Sequence, residues 1–81
     1  MNDYTKYHIA KIYSNINTYT PFELELLSQG IIKTVSDLQS VNESYQNTEE
    51  ILAYTDLNQA IAYRLNDLEE LSHLERDQLW L

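Results

Sequence analysis

Glu70 and His73 stand three residues apart, the spacing by which carboxylate-bridged metal helices turn two ligands to one side. Glu69 and Asp77 flank His73 at four residues on either side, within reach on a helix. A di-metal centre needs a second such element and further inward carboxylates, and His8 has Thr5, not Glu, three residues before it. A solvated histidine among acids is therefore expected, with no metal. For nucleophilic catalysis the chain offers serine and threonine but no cysteine, no glycine-rich elbow and no phosphate-cradling loop. No catalytic residue and no cofactor are assigned, and the chain is not expected to be an enzyme.

What remains is a series of carboxylates. Residues 42–81 hold nine acids against Arg64 and Arg76, a net −7, whereas residues 1–41 hold four acids against three lysines, a net −1. Carboxylates spaced along a helix can stand in for a row of phosphates and fill the basic groove of a nucleic-acid-binding protein. The residues expected to bind a partner are Glu49, Glu50, Asp56, Asp67, Glu69, Glu70, Glu75 and Asp77, with Tyr63 as an aromatic anchor. Tyr63 is chosen because it lies beside Ala60 and Arg64, off the apolar seam, and because tyrosine suits a place that is packed at one end and wet at the other.

These residues need a helix to hold them. Tyr54, Leu57, Ile61, Leu65, Leu68 and Leu71 fall within an arc of about 120° at about 100° per residue, so the spacing predicts an amphipathic helix over 48–71. Asn47 or Thr48 caps it, and Glu49 and Glu50 sit in the first turn, where the helix dipole favours them. Beyond Leu71 the seam loses phase. Ser72-His73-Leu74-Glu75 has the form of a capping box, so a short further helix over 73–80 is expected. At the other end, Ile9, Ile12, Tyr13 and Ile16 predict a helix over 3–16. Thr20-Pro21-Phe22-Glu23 combines a cap, a proline at the first helical position and a reciprocal glutamate, and Tyr19 and Leu24 are spaced as a hydrophobic staple. The helix that starts there meets Gly30, yet Leu24, Leu27, Ile31, Val35, Leu38 and Tyr45 keep one phase through it, which predicts a single helix over 21–45. The expected fold is all-α, one domain: a small three-helix bundle made of a helical hairpin and an N-terminal helix, with the short C-terminal helix added.

The totals exclude several classes. Eighty-one residues with no cysteine leave neither a disulfide framework nor a zinc cluster, so the fold rests on helix packing, self-association or a partner. A net charge of −8 repels phosphate backbones and anionic lipids, so direct nucleic-acid binding and membrane binding are not expected. No apolar run reaches the roughly 18 residues that span a bilayer, and no basic-then-apolar leader opens the chain. A cytoplasmic location is expected.

The segment Leu27-Ser28-Gln29-Gly30-Ile31-Ile32-Lys33-Thr34-Val35-Ser36-Asp37-Leu38 resembles helix-hairpin-helix modules in its Leu, Gly-Ile, Thr-Val, Asp-Leu succession. It has an extra residue between Gly30 and Thr34, lacks the second hairpin glycine and carries the wrong charge for the phosphate contact of those modules, so their function is not transferred. In size, acidity and helicity the whole chain is similar to small phage and plasmid inhibitors of host defence nucleases, anti-restriction and anti-CRISPR proteins among them. That likeness implies a phage-encoded protein acting in the host cytoplasm on a basic partner, a nuclease or another nucleic-acid-binding complex. The competing expectation is a homodimeric structural or regulatory module that pairs through the Leu and Tyr seam.

Overall fold

The protein was analysed as a computed structural model, which describes residues 3–41 and 45–79, with side chains at 3–41 and 47–71. Three helices follow one another, α1 (Asp3–Asn15), α2 (Pro21–Ser40) and α3 (Tyr45–Leu79), and the described residues contain no strand. The fold is an all-α three-helix bundle. α3 is its spine, since α1 and α2 each pack on α3 and do not approach each other closely.

α2 begins where the sequence places it. The Thr20 hydroxyl accepts from the Glu23 amide at 3.2 Å, the Glu23 carboxylate accepts from the Thr20 amide at 3.0 Å, and Pro21 fills the first turn. The helix passes through Gly30 without a positive φ, as the phase of its apolar residues predicts. Its end corrects the expectation of 21–45: Val41 is already extended, with φ −95° and ψ 167°, and the Ser40 hydroxyl closes on the Asp37 carbonyl at 2.8 Å. The match of Tyr45 to the seam was a coincidence of period, with no apolar residue of the seam between Leu38 and Tyr45 to support it.

α3 differs at both ends. It starts at Tyr45 instead of Thr48, so Asn47 and Thr48 lie in its first turn, and it runs unbroken through Ser72 to Leu79, so the separate helix over 73–80 does not form. No glycine or proline follows Pro21 and Gly30 in the chain, and without a breaker the loss of apolar phase at Ser72 does not end the helix. At 1.5 Å per residue, 35 residues make about 52 Å, which accounts for the long axis of the 57 × 22 × 15 Å molecule. The radius of gyration, 15.7 Å, exceeds the roughly 12 Å of a compact chain of this length.

α2 lies antiparallel to α3. Ser28 Oγ donates to Asn58 Oδ1 at 2.6 Å in the middle of the pair, Pro21 lies near Leu65 and Leu68, and Leu38 lies near Ile51. α1 runs in the same direction as α3: Tyr4 bears on the ionisation of Tyr54, and further on Arg64 Nη2 donates to the Asn17 carbonyl at 3.4 Å. The core between them holds Ile9 and Ile12 of α1, Leu24 and Ile31 of α2, and Tyr54, Leu57 and Ile61 of α3, with Leu24, Leu57 and Ile61 fully enclosed. Each such side chain stabilises the fold by about 1.5–3 kcal/mol over leaving it exposed. Of the predicted seams, Tyr13 and Leu71 are the exposed members, and the side chain of Tyr45 lies outside the described residues.

Candidate interaction site

α3 carries the acids, and its rotation decides which of them act together. Glu49, Asp56, Tyr63 and Glu70 are spaced by seven residues, so about 10.5 Å of helix separates each from the next. A straight helix drifts by about 20° per heptad, so the four form a slowly winding stripe, and Asp67 falls inside its arc of about 60°. Glu49, Asp56, Asp67 and Glu70 are exposed, and Tyr63 stands 66% exposed among them. α1 and α2 take the other sides of α3.

Two of the expected residues belong elsewhere. Glu50 sits about 100° from the stripe on the side toward α1; it is half-buried, and with burial as the larger cause its charge holds the Tyr54 phenol above its ordinary pKa. Glu69 sits about 100° away on the other side, beside Glu25 and Pro21 of α2, where Leu65 and Leu68 close the end of the hairpin. The side chains of Glu75, Asp77 and His73 lie outside the described residues, although the helical backbone continues through them. Asp77 continues the heptad of Glu70 in sequence. Among the described residues no three His, Cys, Asp or Glu gather in the manner of a metal site.

The stripe is not interspersed with bases. Arg64 lies about 100° around the helix from Tyr63, a heptad beyond Leu57, and turns its guanidinium toward the α1–α2 connection and Asn17, with its Nε buried and without a hydrogen-bond partner. Of the Leu and Tyr seam expected to serve a dimer, Tyr54, Leu57 and Ile61 are buried in the core, Leu65 and Leu68 are half-buried and Leu71 is exposed. Sequence inspection did not mark the lining that α2 contributes on its far edge through Glu25 and Ile32, and read Val35 only as part of the seam. Its signal was present as Ile32 standing off the Leu24 seam, but reading it requires the α2–α3 register.

Comparison of the chain with protein-family models, with curated proteins and with solved structures finds no match. No described helix is long and apolar enough to cross a membrane. The class defined at this point is a small acidic three-helix protein with a carboxylate stripe along its longest helix.

Proposed function

We propose that the protein acts by occupancy: the stripe of Glu49, Asp56, Asp67 and Glu70 docks on a basic surface of a partner protein, with Tyr63 as its central anchor. The observation that carries this reading is the exposure of those four acids and of Tyr63 on one arc of α3. Steps of about 10.5 Å correspond to three phosphates along a nucleic-acid strand at about 3.4 Å of axial rise each, so a surface shaped for a backbone meets charge at a matching interval. The partner is a nuclease or another nucleic-acid-binding complex, and the effect is inhibition by displacement, of the anti-CRISPR or anti-restriction type. The proposed setting is the cytoplasm of a host cell.

The test is capture of partners from a bacterial lysate at about 0.05 M and 0.5 M salt, where the Debye length falls from roughly 14 to 4 Å. A basic nucleic-acid-handling protein is expected at low salt and lost at high salt, and the Asp56→Lys, Glu70→Lys variant should neither retain it nor inhibit its binding of DNA or RNA. Retention by that variant, undiminished, sinks the proposal.

A further inference from the structure

A second surface lies on the edge of the hairpin that α1 leaves uncovered. There the valley between α2 and α3 holds three successive hollows, from one at Pro21 and Glu69 at one end to one at Gln39 and Leu52 at the other. It spans about 18 residues of α2, or about 27 Å. Its middle is a hollow of about 220 Å³ flanked by Ile32, Val35, Thr55 and Asn58, and the Ser28–Asn58 hydrogen bond ties its walls together. Ile32 is 57% exposed and Leu52 60% exposed, so apolar surface remains open along the valley. The described lining includes two carboxylates, Glu25 and Glu69, both at the Pro21 end, and no base.

We infer that this valley is a docking site for an amphipathic helix of a partner protein, with apolar residues toward Ile32, Val35 and Leu52 and a lysine or arginine near the end that meets Glu25 and Glu69. The shape selects a helix. Two packed helices lie about 8–10 Å apart, and the furrow between them takes a third cylinder of the same radius, which here makes a four-helix arrangement with α1 on the other side. The described residues offer no strand edge for an extended peptide to join. A helix of about 18 residues in such a furrow removes on the order of 1,000 Å² from water, the lower end of specific interfaces. Charge selects a basic partner over a second copy: each copy carries −8, and the lining has no base to answer the acids of another. This inference is independent of the α3 stripe: its acids lie on the other border of the exposed arc of α3 from Thr55, Asn58 and Glu69, although Leu52 falls at the stripe's edge, so substitutions at Glu25, Ile32 and Glu69 separate from those at Asp56 and Glu70.

The probes are two peptides of about 18 residues and identical leucine and lysine content, one with leucine at helical spacing and one with the order scrambled. Amide correlation spectra of the full, isotopically labelled chain locate binding, and fluorescence anisotropy of the labelled peptides measures it. The helical-spacing peptide is expected to shift Ser28, Ile32, Val35, Thr55 and Asn58 and to bind at least about tenfold tighter than the scrambled one. Ile32→Glu and the Glu25→Lys, Glu69→Lys pair should each weaken it by about tenfold with unchanged circular dichroism, while Asp56→Lys, Glu70→Lys should change it by less than about threefold. Equal binding of the two peptides, shifts confined to the stripe, or indifference to Ile32→Glu overturns the site. A wild-type dimer in sedimentation that Ile32→Glu dissociates overturns the choice of occupant in favour of a second copy.

Discussion

Replacing Gly30 by alanine should make the protein more stable, and the structure supplies the size of the effect. Gly30 is exposed in the middle of the 20-residue α2, its φ is not positive, and a Cβ built on it meets nothing within 4 Å. The substitution therefore creates neither a clash nor a strained backbone. What it changes is the entropy of the unfolded chain and the helix propensity, a difference of about 0.8–1.0 kcal/mol between the two residues in a helix interior. The Thr34 hydroxyl bonds the Gly30 carbonyl at 2.9 Å, a backbone acceptor that alanine keeps. For a domain of this length about 1 kcal/mol moves Tm by roughly 4–8 °C. Thermal and urea unfolding followed by far-UV circular dichroism should show an upward shift of that size with an unchanged urea slope. A Tm that stays level or falls refutes the argument, because it means that the position bends or makes a contact that α2 needs.

Loss of the cap should act through pH as well as through contacts. Thr20→Ala removes the hydroxyl that accepts from the Glu23 amide, at a cost of about 1 kcal/mol in urea unfolding near neutral pH. The Thr20 backbone amide and hydroxyl hold the Glu23 carboxyl below its usual range, so its contribution to stability is present above the unfolded pKa and fades as pH falls through the folded one. The wild type should consequently lose part of its advantage over Thr20→Ala in acid, and a constant difference across that window would contradict the assignment. Tyr54 is shifted the other way, by burial first and then by the charge of Glu50 and by Tyr4. Its phenol should ionise in a late step above the ordinary value of about 10 in an ultraviolet titration, and the stability linked to it, fully present below the unfolded pKa, should be lost as pH rises through the folded pKa. Tyr54→Phe should remove that late step, and a titration without one would count against the burial of this ring.

Much of the fold was legible because local signals agreed with tertiary packing. Thr20, Pro21 and Glu23 announce a helix start with three independent features, and Leu24 and Ile31 keep one face across Gly30, so both the start and the continuity of α2 could be read. The misjudged points are those where a single signal spoke. Tyr45 extended α2 on the strength of one matching position, and the Ser72-His73-Leu74-Glu75 pattern suggested a break although nothing there interrupts a helix. The acids could be listed from the sequence, but their grouping depends on rotation about α3. Glu69 and Glu70 are neighbours in the chain and face different surfaces, one beside Glu25 and the other in the stripe. The valley could not be read at all, since its walls meet only once Ser28 is set opposite Asn58, 30 residues away.

The spine-like position of α3 has a consequence for how the chain comes into being. α1 and α2 rest on α3 and hardly on each other, so during synthesis the first half of the protein leaves the ribosome with its apolar faces uncovered. Leu57 and Ile61, around which those faces close, are made only in the last third of the chain. Isolated helices of 13 and 20 residues are marginal in water, so little settles before that point. The first half emerges as an unfinished binder, and α3, translated after it, is its intramolecular template.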